Sequence, residues 1–287
     1  MKEEARACMG QGEGICPALI SLRKGIFMTA EHLIMDFSHV YCDENIPKKD
    51  HVHSVDCSKI GECDLYCSAQ AEEEIKKKIE PYGIHGIHFL DSGNYHYVTE
   101  IMTSRIDRKF ILVVFDHHTD MQKPMIEHMT SCGDWIRKVL ETNSLLQQLI
   151  LIGPQACDIK QIYSETDDLM KRSEIRNKLL TFSAEEIRAG EDPDKTAKIK
   201  KNLPVYISID KDILDPQYTE TNWSQGDMSL PMLERLSAYF LNHETVLGID
   251  ICGECQPGIP LPEYLQAEEL NEETNRELFD FLSHYIK

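Results

Sequence analysis

Ile111-Leu112-Val113-Val114-Phe115-Asp116-His117-His118-Thr119-Asp120 is the stretch on which the reading of this chain turns. Five apolar residues run without interruption, the pattern of a strand buried on both faces of a sheet. The run then gives way at once to a dense group of ionisable side chains. Two later segments repeat this form. Residues 205–209 lead into Asp210-Lys211-Asp212-Ile213-Leu214-Asp215-Pro216, and residues 246–249 lead into Asp250-Ile251-Cys252-Gly253-Glu254. In open parallel sheets ligands bind beyond the carboxyl ends of strands, so acids gathered there stand where a site is expected.

Working outward, further strands are predicted at residues 33–37, 87–90 and 149–152. Helices are predicted at 69–79, 135–148, 184–188, 232–241 and 273–285, the last with Leu278, Phe279, Phe281 and Leu282 on an amphipathic spacing. Strands alternating with helices predict an α/β fold with a mainly parallel sheet covered on both faces. Residues 191–202 are polar and read as a surface loop with a short helix. Residues 1–27 show little periodicity and read as an extension preceding Met28, with 28–287 as one catalytic domain; an ordered arm packing on a neighbour is the alternative.

The chain has 287 residues, enough for a single large α/β domain. Hydrophobic residues make up 41% and charged residues 28%, a globular composition. The net charge of −19 argues against nucleic-acid and anionic-membrane partners and is compatible with a cationic small molecule. No apolar run is long enough to span a bilayer. The N-terminus has no basic start followed by an apolar stretch, so the ten cysteines are expected as reduced thiols in a cytoplasmic protein.

Alternate side chains share a face in extended backbone, so Asp116, His118 and Asp120 can converge, and Asp210 and Asp212 likewise. His96 follows the 87–90 strand. Four carboxylates in one place repel one another, and burying them unpaired is costly. Two divalent cations would cancel four negative charges. Imidazole and carboxylate donors suit a first-row ion such as manganese, and the lack of a thiolate cluster disfavours structural zinc.

These motifs resemble those of the ureohydrolase family, which includes arginase, agmatinase and formimidoylglutamase. Asp116–Asp120 matches Asp-x-His-x-Asp. Ser208 to Pro216 matches Ser-x-Asp-x-Asp-x-x-Asp-Pro. Ser92-Gly93-Asn94-Tyr95-His96 is an altered Gly-Gly-x-His. The resemblance runs from about residue 30 to the end. It implies a three-layer αβα fold with about eight mostly parallel strands. It also implies two manganese ions, one held by His96, Asp116, Asp120 and Asp210 and the other by Asp116, His118, Asp210 and Asp212, with Asp116 and Asp210 bridging. Ions about 3.5–4 Å apart can share a water and lower its pKa. The implied reaction is attack of the bridging hydroxide on the planar carbon of a linear guanidine or amidine, breaking a C–N bond. Family members are often trimers or hexamers, so a homo-oligomer is compatible with the resemblance.

Three segments depart from the family pattern. Where members carry a His-Gly proton shuttle, this chain has Cys132-Gly133; Cys132, or His128 by a loop shift, is the candidate, and a structural cysteine is the alternative. In place of the Gly-Thr-Gly-Thr-Pro substrate loop stands Asn222-Trp223-Ser224-Gln225-Gly226-Asp227, whose Trp223, Gln225 and Asp227 are candidate substrate contacts or plain loop residues. The family's Asp-x-x-Glu appears as Asp250 and Glu254, four apart; a bulge at Gly253 would restore Glu254 as the carboxylate that orients the cationic group. Two rivals follow. One is a deacetylase-like amide hydrolase with a single zinc, against which Asp120 and His96 count. The other is a non-catalytic metal-binding protein on the same fold. His117 is expected to point away from the ions. His85 and His88 are read as ordinary, Asp215 as a turn residue, and Cys57, Cys63 and Cys67 as a remote candidate for a small metal knot with His51 or His53.

Overall fold

The computed structural model describes residues 30–41, 51–164, 168–190 and 192–286. The proposed boundary at Met28, and Cys8 and Cys16 before it, lie outside them. Among the described residues the strands in chain order are β1 (His32–Asp36), β2 (Val52–Asp56), β3 (Tyr66–Cys67), β4 (Ile87–Phe89), β5 (Phe110–Phe115), β6 (Thr130–Ser131), β7 (Leu146–Ile152), β8 (Leu179–Phe182), β9 (Val205–Asp210) and β10 (Val246–Cys252). Eight of these form one parallel sheet in the order β2-β1-β4-β10-β9-β5-β7-β8. β3 and β6 form a separate antiparallel pair.

The apolar runs are continuous because both faces of the sheet are covered. Alternate residues fall into two distinct cores. Leu112, Val114, Leu149, Leu151 and Tyr206 belong to one. Val113, Phe115, Ile150, Ile207 and Ile209 belong to the other. The main helices are α1 (Ala69–Ile79), α2 (Val98–Ser104), α3 (Trp135–Thr142), α4 (Ala156–Ile162), α5 (Ala184–Ala189), α6 (Leu230–His243) and α7 (Leu261–Leu282). Ile75 and Ile79 of α1, Ile101 and Met102 of α2, and Trp135, Ile136 and Val139 of α3 cover the first face. Leu233 and Phe240 of α6 and Leu278, Phe279 and Leu282 of α7 cover the second. This is the expected three-layer α/β arrangement with eight parallel strands.

Two local expectations are corrected. The helix predicted over 135–148 stops at Thr142. Asn143 leaves the helical region at ψ 101°, and its Oδ1 accepts the backbone N–H groups of Leu145 and Leu146 at 3.0 and 3.3 Å, so the chain turns directly into β7. The helix predicted over 273–285 begins earlier, at Leu261. β2, β8 and the short β3–β6 pair had no clear signal in the sequence. The 191–202 segment carries a short helix, Pro193–Thr196, as expected.

Strand register places the site. Phe115 pairs with Ile209, so Asp116 and Asp210 leave neighbouring central strands at the same level. Asp210 in turn pairs with Cys252 on the next strand. Among the described residues no helix is long and apolar enough to cross a membrane.

Candidate metal centre

β9 ends at Asp210, and a 3-10 turn over Lys211–Ile213 follows. The Asp210 side chain caps that turn: its Oδ1 accepts the backbone N–H of Asp212 at 3.0 Å. Asp212 is therefore brought back toward the strand end by a turn, not by strand alternation. The 116–120 segment also departs from the extended form predicted for it. Asp116 Oδ1 accepts the backbone N–H of His118 at 2.5 Å, and Asp120 takes a left-handed φ of +46°. Such a φ is uncommon for a residue with a Cβ and best tolerated by Asp and Asn. Trp135 Nε1 holds Asp120 Oδ2 at 2.7 Å.

His96 arrives from the altered Gly-Gly-x-His segment, after a 3-10 turn over Gly93–Tyr95. Gly93 is required there: a Cβ would meet the Trp223 ring at 2.9 Å and Asp210 Oδ2 at 3.1 Å. The Ser208 hydroxyl contacts His96 Nε2 at 2.8 Å, which sets the ring's orientation and explains the serine two residues before Asp210. The opposite nitrogen, Nδ1, lies 3.2 Å from Asp116 Oδ2, 3.3 Å from Asp120 Oδ2 and 3.3 Å from Asp210 Oδ2.

A second group sits beside the first. His118 Nδ1 is 2.8 Å from Asp212 Oδ2 and 3.6 Å from Asp116 Oδ1. Its Nε2 is 2.9 Å from the Ser224 hydroxyl. His96–Asp116–Asp120 and Asp116–His118–Asp212 thus form two compact sets of potential ligands that share Asp116. Each of its oxygens faces a different set. Asp210 faces the His96 set through Oδ2 and uses Oδ1 on the Asp212 backbone.

The donor set fits divalent metal ions. Donors about 2.2 Å from an octahedral ion stand about 3.1 Å from one another, close to the separations around His96. Both His96 Nδ1 and Asp116 Oδ2 are buried without a hydrogen-bond partner, although each points into a crowd of polar atoms. Buried polar atoms left in this way call for a missing partner, such as an ion.

Electrostatics point the same way. Burial and then the Asp116 charge push Asp120 up to about 7. Burial, Asp210 and Asp116 push Asp212 well above the carboxylate range. Burial opposes a charged imidazole at His118, yet Asp116 and Asp212 push it to about 12. Burial likewise opposes charge on His96, and Cys252, Asp116, Asp120 and Asp210 outweigh it, so its pKa is raised strongly. Burial alone would raise Asp116, but His118 and His96 hold it below its usual value. Without ions, protons supply the positive charge that the acids require.

The sequence-nominated pocket residues divide. Cys132 and Trp223 line a cavity of about 540 Å³ whose floor includes Asp116, His118, Asp120, Asp210 and Asp212. Burial and the Asp120 charge push the Cys132 thiol far up, so it stays protonated at neutral pH. His128 does not line this cavity; its side chain is 87% exposed and lies 3.6 Å from the Glu127 carboxylate. Gln225 is consumed by its own loop, donating to the carbonyls of Leu214 and Thr219. Asp227 pairs with Arg188 on an exposed surface. Gln225 and Asp227 border a different depression, with His117.

Glu254 does not line the cavity of Cys132 and Trp223. Gly253 does adopt a left-handed φ of +99°, but the turn carries Glu254 inward. Its Oε1 accepts from Lys211 Nζ at 2.6 Å and Asn275 Nδ2 at 2.8 Å, and Lys211 donates to Asn275 Oδ1 at 2.8 Å. Lys211 is fully buried, so the carboxylate is needed as its counter-ion. Tyr66, Lys123, Asp158 and Gln161 line the cavity instead, and sequence reasoning missed them. They come from the β3 region, the loop before β6 and α4, and no local motif marks them. Asp250 turns inward too, accepting from Tyr206 Oη at 2.7 Å and lying 2.8 Å from His88 Nδ1. His88 is thus part of a buried network. Asp215 caps its turn at Gln217 N as expected. Among the described residues, Cys57, Cys63 and Cys67 join no group of metal-ligating atoms.

Comparison with known proteins agrees with this architecture. The sequence model of the arginase family matches residues 22–257. An uncharacterized protein of Thermotoga maritima is 30% identical over 257 residues, covering 82% of this chain and 92% of that protein. The formimidoylglutamase structure from Bacillus subtilis superposes with a TM-score of 0.59 at 14% identity, covering 92% of this chain and 89% of its own. The Trypanosoma cruzi formiminoglutamase structure with Mn2+ superposes with a TM-score of 0.58 at 14% identity, covering 90% and 94%.

Two outcomes are expected from this geometry. Lys211→Met leaves Glu254 buried without its cation and should cost about 3–5 kcal/mol in denaturant unfolding, while adding Glu254→Leu should recover much of it; full additivity would contradict the pairing. The second concerns pH. A carboxyl raised from 3.8 to about 7 holds a proton in the fold that the unfolded chain has released, so the metal-free protein loses stability as pH rises through that window. An ion must displace this proton below pH 7. The Mn2+-induced rise in Tm should therefore be larger at pH 8 than at pH 6, and a larger rise at pH 6 would contradict the assignment.

Proposed function

This chain belongs to the arginase family, and from that premise we propose that it is a binuclear metal-dependent hydrolase of a C–N bond in a small linear amidine or guanidine. The single observation that carries the reading is the pair of ligand groups, His96–Asp116–Asp120 and Asp116–His118–Asp212, joined through the two oxygens of Asp116. Asp210 adds a carboxylate to the His96 group. A single-zinc, deacetylase-like site would leave Asp120 and His96 without purpose.

When bound, two divalent ions, manganese by family resemblance, supply a nucleophile from water at neutral pH and stabilise developing negative charge. The chain's own residues do the rest. Ser208 fixes the His96 ring and Trp135 fixes Asp120, so the donors are set before an ion arrives. Trp223, whose Nε1 donates to Asn94 Oδ1 at 3.0 Å, forms part of the cavity wall beside the acids. Two bound ions would neutralise the four floor acids, so the preference for an amidine or guanidine over a neutral amide rests on the family membership and on Asp158 at the cavity wall. Glu254 is committed to Lys211, so recognition of a cationic end falls to Asp158 at the cavity wall. Cys132 lines the cavity as a neutral thiol, and the burial and Asp120 charge that keep it protonated make it a poor proton donor and leave it no base.

Manganese-loaded protein assayed against a panel of linear guanidines, formimidoyl compounds and amides should release urea, ammonia or formamide from an amidine substrate. Asp116→Asn should reduce kcat/KM by at least about 10³-fold, because one side chain serves both ligand groups. Turnover of amides alone would overturn the amidine reading, and an inert loaded protein would favour a non-catalytic metal-binding role.

A further inference from the structure

The carboxylate and imidazole motifs omit one donor that the fold delivers to the same place. Cys252 ends β10, is 1% exposed, and pairs in register with Asp210 of β9. Its Sγ lies 3.2 Å from Asp210 Oδ2, the same oxygen that stands 3.3 Å from His96 Nδ1. His96, Asp210 and Cys252 present ligand atoms that all lie within 4.8 Å of one another. The sign of a ligand at this group is His96 Nδ1, which is buried, has no hydrogen-bond partner and stands 3.3 Å from the Asp210 oxygen that the thiol also contacts. The residue after the thiol is Gly253, where a Cβ would fall 2.7 Å from Asp210 Oδ1. The chain can therefore pass close over Asp210 and leave Cys252 beside it.

We propose that Cys252 is a sulfur ligand of the ion on the His96 side of the centre, which gives that position a borderline-soft preference, for zinc or cobalt over manganese, that the His118 side lacks. This rests on the binuclear reading above and deepens it. On binding, the S–H bond breaks heterolytically: sulfur keeps the electron pair and donates it to the ion, and the proton leaves to solvent. No oxidation is involved. Asp210 Oδ2, which accepts the S–H of the metal-free protein, is released to face the ion. The His118 group contains only nitrogen and oxygen donors, so the two positions differ in softness.

Titration of the metal-free full chain with Co2+, followed by absorption, tests the assignment. Wild type should show the visible bands of bound cobalt together with a near-ultraviolet sulfur-to-cobalt charge-transfer band. Cys252→Ser should keep the visible bands, lose the charge-transfer band, and bind zinc at least about tenfold more weakly with little change for manganese. Cys132→Ser, which alters the other thiol near the acids, should keep both sets of bands. X-ray absorption of the zinc-loaded wild type needs no variant and should show a sulfur neighbour at about 2.3 Å. Bound cobalt or zinc without a sulfur signature, or a charge-transfer band that survives in Cys252→Ser, overturns the proposal and leaves the binuclear reading standing. Failure of the wild type to bind any divalent ion overturns both.

Discussion

Mutual repulsion among buried carboxylates is the constraint around which this molecule is arranged. Asp116, Asp120, Asp210 and Asp212 are each no more than 9% exposed. In a medium of low polarity such acids cannot all stay ionised without cations among them. The protein gathers them regardless, because β5 and β9 are neighbours in register at the centre of a parallel sheet. Raised affinities for protons at Asp120, Asp212 and the two histidines express this tension, and ions would relieve it.

The surroundings hold the strained group in place. Trp135, the first residue of α3, is fully buried and donates to Asp120. Ser208, two residues before Asp210 on the same strand face, orients His96. Lys211 lies between two of the acids in sequence but points the other way, into the pair with Glu254 and Asn275 that ties β9 to α7. One short turn therefore serves two purposes: it presents Asp212 to the ligand group and sends a buried cation to anchor a helix. Preorganisation of this kind is what a metal centre requires of its scaffold.

The central strands could be read from sequence because burial on both faces leaves a nearly continuous apolar run, unbroken in Phe110–Phe115 and broken only by Ser208 over residues 205–209. Edge strands could not. Val52–Asp56 is half polar, and Tyr66–Cys67 is too short to show a period. The acids at the strand ends were legible because type, order and location coincide. Their local geometry was not, since turns at 116–120 and 211–213 replace the extended backbone that alternation assumes. The packing of Glu254 was not legible either, because its partner Asn275 lies 21 residues away on a helix and leaves no mark near the motif. Cys252 was passed over for a related reason: its place beside Asp210 depends on cross-strand register, which a single chain's spacing does not reveal. The cavity wall formed by Tyr66, Lys123 and Asp158 draws on three separated segments and is visible only once folded.

The central claim is that one carboxylate, Asp116, stands between two ions. Anomalous diffraction from crystals grown with Mn2+, collected at the manganese edge, tests it directly. Two peaks about 3.5–4 Å apart, with a different oxygen of Asp116 facing each, are predicted. A single peak, or peaks remote from Asp116, would contradict the account.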